Sequence, residues 1–109
     1  MDKVNVSLKI DGKVKYESKG VGTLNRDILK FKDDKCEYLF DFGVNRITEI
    51  EKGKRVIIDL ENSFINIIGE NNLFVEIHDV DKRLKDNSYK VSYELEGIIN
   101  ISLEWSKYE

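Results

Sequence analysis

Apolar and polar residues alternate one for one through most of this chain, most regularly from Tyr89 to Trp105. Tyr89, Val91, Tyr93 and Leu95 form one apolar row there, and Ile99, Ile101, Leu103 and Trp105 form another. The residues between them are mainly Lys, Ser, Glu and Asn. A period of two predicts half-buried β-strands, because successive side chains of a strand point to opposite faces. Directly opposed residues of an antiparallel pair share a face, so parity constrains each turn. A three-residue loop at Leu95-Glu96-Gly97, with Gly97 in a left-handed bulge position, keeps the rows together by opposing Tyr93 to Ile99 and Val91 to Ile101.

Other stretches carry the same signal. Val4, Val6, Leu8 and Ile10 lead through Ile10-Asp11-Gly12 to Val14 and Tyr16, opposing Leu8 to Val14. Gly20 and Gly22 lack the third glycine and the following helix of a phosphate-binding loop, and read as a strand bend or bulge. Leu29 and Phe31 lead through a loop at 32–35 to Cys36, Tyr38, Phe40 and Phe42, opposing Phe31 to Cys36. Val56, Ile58 and Leu60 turn at Glu61-Asn62 to face Ile67, Ile65 and Ser63, and a connection over Ile68–Asn72 leads to Leu73, Val75 and Ile77. Two stretches are less regular. Arg46–Glu51 puts Ile47 and Ile50 on opposite faces, and Val80–Asn87 reads as a ragged strand end, a loop or a helical turn.

About nine or ten short strands with local hairpin connections describe an all-β, antiparallel up-and-down meander. A sheet of that size curls, and closing it removes the unpaired edges that promote aggregation. The expected architecture is one domain over 1–109, a lipocalin-like β-barrel, with a two-sheet β-sandwich as the alternative. The inward rows collect Tyr16, Phe31, Tyr38, Phe40, Phe42, Tyr89, Tyr93 and Trp105, enough aromatic volume to fill a small barrel.

The segments Ile28-Leu29-Lys30-Phe31, Tyr38-Leu39-Phe40-Asp41, Asn72-Leu73-Phe74-Val75-Glu76-Ile77 and Tyr89-Lys90-Val91-Ser92-Tyr93-Glu94-Leu95 resemble those of the YwiB-like proteins. The resemblance spans roughly residues 28 to 105 and rests on strand patterning. It implies membership of a group of small Firmicute proteins of uncharacterised function with a lipocalin-like meander barrel. It supplies no activity and no site residues.

Composition narrows the functional classes. Forty per cent apolar and 36% charged residues describe a folded globular chain. The net charge is −3, divided as +2 over residues 1–54 and −5 over 55–109, so neither half offers the clustered cations that nucleic-acid binding needs. No apolar run approaches the roughly twenty residues of a membrane helix. An N-terminus without an apolar leader, together with a single cysteine, places the expectation in the cytoplasm.

Candidate chemistry is sparse. Cys36 has inward parity and His78 outward parity, so the single thiol and the single imidazole face opposite ways. His78-Asp79-Val80-Asp81 lacks a second histidine, and Asp33-Asp34 suits a turn. No catalytic residue, metal site or cofactor is assigned, and the chain does not read as an enzyme. Tyr93 and Trp105 are the polar-tipped residues suited to line a luminal pocket, with Arg46 at its mouth. On the outer face, Ile57, Phe64, Ile68 and Phe74 break the polar pattern, and the registers above bring them into one patch around Asn66. A contiguous apolar patch marks an interface, here with a second copy or another protein. The sequence thus describes a non-catalytic interaction or assembly module acting through its outer surface. Carriage of a small apolar ligand in the barrel is the alternative.

Overall fold

The structure, a computed structural model, describes residues 2–25 and 27–107. Ten strands follow in order: β1 (Asp2–Ile10), β2 (Lys13–Asn25), β3 (Ile28–Lys32), β4 (Cys36–Asp41), β5 (Arg46–Glu51), β6 (Lys54–Asp59), β7 (Phe64–Ile68), β8 (Leu73–Lys85), β9 (Ser88–Leu95) and β10 (Ile99–Lys107). Each pairs antiparallel with its sequence neighbours, and β1 also pairs with β10 through Val4↔Lys107 to Ile10↔Ile101, closing the sheet into a barrel. The fold is therefore the all-β meander barrel that the alternation predicts, and closure sets the sandwich aside. No helix among the described residues is long and apolar enough to cross a membrane.

Local chemistry explains the turns. Asp33, Asp41 and Asp59 each stand where a strand gives way to a loop. Each accepts hydrogen bonds from the backbone N–H groups two and three residues on: Lys35 and Cys36, Gly43 and Val44, Glu61 and Asn62. A carboxylate used in this way imitates a backbone turn and orders the loop.

Several registers differ from those that parity suggests. The β9–β10 turn has Glu96 and Gly97 both left-handed, with φ of 54° and 66°, and the Ile98 N–H donating to the Leu95 carbonyl at 3.1 Å. Tyr93 therefore opposes Ile101 and Val91 opposes Leu103, two residues from the expected pairing. The β3–β4 ladder is displaced likewise: Phe31 opposes Tyr38, and Cys36 falls within the Asp33 turn. A slip of two leaves every side chain on its own face, so alternation alone is blind to it. The β1–β2 hairpin is a two-residue turn, Asp11 and Gly12 at φ 51° and 83°, with Ile10 opposite Lys13. A bulge then leaves Lys15 unpaired and restores parity, setting Leu8 opposite Tyr16.

Gly20 and Gly22 lie in an unbroken ladder, not a bulge. A Cβ at Gly20 would meet the Lys32 carbonyl and the Phe31 ring, and one at Gly22 would sit 2.7 Å from the Lys30 carbonyl and 2.9 Å from Val4. Residues 80–85 continue β8 despite their charge, after a bulge between His78 and Asp81 where Asp79 has φ 52°. Arg46–Glu51 forms a regular strand, with Phe40, Ile47 and Ile58 aligned across the wall.

The interior is packed with aromatic groups. Trp105, Phe31, Phe40, Ile47, Ile77, Val4, Val6 and Val91 are fully buried. Trp105 meets Tyr38 edge-on at 6.1 Å and lies 5.7 Å from Tyr89, while Phe42 approaches Tyr89 at 4.6 Å. Tyr16 and Phe42, also expected inside, are half-buried. A small pocket of about 40 Å³, bounded by Val4, Leu29, Phe42, Tyr89 and Trp105 and bordered by Leu84 and the turn at 85–88, has room for a few waters only.

Candidate functional site

The two halves of the barrel are sealed to different degrees. Toward the chain termini, inward residues such as Val4, Leu29, Ile47, Ile58, Leu60 and Ile65 are buried, although Leu84, opposite Tyr89, is 65% exposed there and Phe42 is half-buried. Toward the turns at 11–12, 33–35, 52–53, 69–72 and 96–98, the inward rows open. Leu8, Val56, Ile67, Val75, Leu95 and Ile101 are half-buried there, and Leu73 is 55% exposed. This end has an apolar wall from β6 round to β1 and a polar wall from β2 to β5.

Asp33 organises the polar wall. Its carboxylate accepts the Tyr16 hydroxyl at 2.8 Å and the Ser18 hydroxyl, besides the N–H groups of Lys35 and Cys36 at 2.7 and 2.8 Å. Burial by itself would raise this carboxyl. The four donors overcome it and hold the group well below the usual carboxylate range, so Asp33 is a poor base. Tyr16 also lies 3.8 Å from the Cys36 sulfur. Burial, assisted by the Asp33 charge, pushes the Cys36 thiol up, and the exposed His78 on the outer face is out of reach as a base.

Glu49 is the ionisable group left in play. It follows Ile47 on the inward row of β5, opposes Tyr38 on β4 and Val56 on β6, and is half-buried. Burial pushes its carboxyl from 4.5 up to about 7, and a proton shared with Glu51 on the same face adds to the shift against the pull of Lys54. Burial likewise raises the Tyr93 hydroxyl to about 12, with the Glu49 charge contributing. A carboxyl poised near neutrality beside tyrosine hydroxyls can hold or release a proton, or face a cationic group. A charged residue on an inward row is legible as such, and Glu49 is the residue that the sequence reading passed over. Among the described residues, no group of three or more His, Cys, Asp or Glu side chains is placed to hold a metal ion.

The outer face carries the second candidate. Ile57, Asn66 and Phe74 form one row across β6, β7 and β8, in the register that the turn lengths predict. Phe64 stacks on Phe74 with ring centroids 4.4 Å apart and planes 22° from parallel. Phe74 is nevertheless 64% exposed and Ile68 36%, while Ile57 and Phe64 are half-buried. Ile50, opposite Arg55, extends the patch to the rim of a shallow groove of about 470 Å³ over β2–β5, which Val21 and Leu39 also line. The N-terminal hairpin and residues 80–85 are built into the barrel wall against β10, β3 and β9, so neither lies over this face.

The expected site residues thus fall in three places. Ile57, Phe64, Ile68 and Phe74 come together. Tyr93 is buried near Glu49 at the turn end, and Trp105 lies deeper among the aromatic rings, its indole N–H without a hydrogen-bond partner among the described residues. Arg46 is separate from both, on the outer side at the other end of β5, with its guanidinium 3.7 Å from the Asp59 carboxylate.

Fold and sites together define a small, closed, ten-stranded antiparallel barrel with a half-buried carboxyl, Glu49, toward its turn end and one apolar outer face. No family model matches the chain, and no curated protein matches it. Among solved structures, the crystal structure of the ywiB protein from Bacillus subtilis is similar, with a TM-score of 0.49 and 9% sequence identity over 99% of this chain and 93% of that one.

Proposed function

We propose that this barrel is a non-catalytic interaction module that engages a protein partner through the outer face of β6, β7 and β8. The observation that carries the reading is the stacked Phe64–Phe74 pair, held in water with Phe74 64% exposed and flanked by Ile57 and Ile68. Burying one such side chain is worth about 1.5–3 kcal/mol, a gain that this chain does not itself collect at Phe74. Two groups near the turns support a non-catalytic role: Asp33 is committed to four donors, and Cys36 is buried. A single free thiol fits a reducing compartment, and we place the protein in the cytoplasm.

The test is a photo-crosslinking residue at position 74 in cells that express the protein, with one at the exposed, outward Glu17 as control. A discrete protein adduct from position 74 alone, lost when Ile57→Asp is added, supports the reading. No adduct, or the same adducts from both positions, refutes it. Phe74→Asp with Ile57→Asp should also keep the wild-type melting profile within a few degrees. Unfolding of that variant would make the patch internal packing.

A second reading is favoured by one observation, the inward Glu49 at a half-open, apolar-walled end. It is carriage of a small ligand with an apolar body and a protonated amine. Trp105 fluorescence titrated with an alkylamine and with the matching fatty acid decides it. Preference for the amine that Glu49→Gln abolishes supports carriage, and no response to either ends it.

A further inference from the structure

We propose that the occupant of the β6–β8 face is a second copy of this chain, docked about a two-fold axis at Asn66 that sets Arg55 of each copy against Glu76 of the other. The inference rests on the proposed function and names its partner. Strands lie about 4.8 Å apart and residues rise about 3.3 Å along each, so the face can be laid out as a grid. Asn66 is the centre, with Ile57 one strand to one side and Phe74 one strand to the other. Ile68 and Phe64 stand two residues away along β7 in opposite directions. Arg55 is paired with Ile68 and Glu76 with Phe64, so these two opposite charges occupy opposite corners of the patch. Both are exposed, and neither joins an ion pair within the chain among the described residues.

Two copies stacked face to face are related by an axis lying in the plane between them, and its direction decides which residues meet. An axis along β7 would set Arg55 over Asn72. An axis across the strands would set it over Asp59, which is buried and committed to the N–H groups of Glu61 and Asn62. An axis perpendicular to the Arg55–Glu76 diagonal exchanges the two corners and forms the ion pair twice. The same rotation carries Ile57 over Phe64 and Phe74 over Ile68, so apolar groups meet apolar groups and Asn66 meets its own copy. Charge and hydrophobicity are thus self-complementary about one axis, as an isologous interface requires.

Arg55→Glu and Glu76→Arg are made separately, and association is measured by sedimentation for each variant, for their equimolar mixture and for the wild type. Wild type should dimerise. Each single variant brings like charges together at both corners and should dimerise at least about tenfold more weakly. In the mixture each Arg55→Glu chain meets a Glu76→Arg chain with opposite charges, and a heterodimer of near wild-type affinity should return. A wild type that stays monomeric at about millimolar concentration overturns the homodimer, while the cross-link at position 74 still judges the outer face independently. Single variants that dimerise as wild type, or a mixture no stronger than its parts, overturn it too.

Discussion

Replacing Glu49 by glutamine should make the protein more stable above neutral pH and leave it nearly unchanged in mild acid. In the folded chain the Glu49 carboxyl keeps its proton to about pH 7, whereas once unfolded it releases it near its ordinary 4.5. The folded state therefore binds more protons between those values. This contribution is fully present below about pH 4.5 and is lost as the pH rises toward 7. Taken at face value the displacement corresponds to about 3 kcal/mol, at about 1.4 kcal/mol per tenfold change. Water reaches the half-buried group, which reduces the expected effect to about 1–2 kcal/mol. Glutamine has the shape of the protonated acid and can donate to Glu51 in the same way, so it retains the packing and discards the titration. The assay is urea unfolding followed by Trp105, which is 1% exposed, at about pH 5 and about pH 8.5. The variant should exceed wild type by about 1–2 kcal/mol at the higher pH, or several degrees in Tm, and match it at the lower. Asp33 has the opposite sign, since its depressed pKa makes its contribution present above the ordinary 3.8 and lost on acidification. It is common to both proteins and cancels in the comparison. Parallel stability curves for the two proteins across this window would show that Glu49 does not change charge there, and the account of the open end would fail with it.

Two further outcomes follow from the same wall. Asp33→Ala leaves the hydroxyls of Tyr16 and Ser18 and the N–H groups of Lys35 and Cys36 without their acceptor, so it should cost about 2–4 kcal/mol in urea unfolding; a loss below about 0.5 kcal/mol would contradict its role as the hub of β2, β3 and β4. Cys36, 5% exposed and with its thiol pushed up by burial, should react with a thiol reagent at neutral pH at least about a hundredfold more slowly in the native protein than in denaturant; comparable rates would mean that the barrel end opens there.

The approximate number of strands, their order and the face that most side chains take were legible in the sequence, because a period of two is a local property and polar turns separate the runs; Val14, expected inside, is turned outward opposite Lys9 by the bulge at Lys15. The outer patch was legible too, since the short connections at 60–63 and 68–72 leave little freedom in register and bring Ile57, Asn66 and Phe74 into line. Only the tertiary structure decided the registers of β3–β4 and β9–β10, because a displacement by two residues preserves every face and is settled by turn hydrogen bonds, those of Asp33 and of Leu95 with Ile98. It alone made 80–85 a strand, since backbone pairing with β9 is indifferent to the charge of Lys82, Arg83 and Lys85. The position of an inward residue along the barrel axis is also invisible to alternation. That position buries Ile47 and leaves Glu49, two residues further along the same row, between protein and water, where desolvation moves its proton into the neutral range.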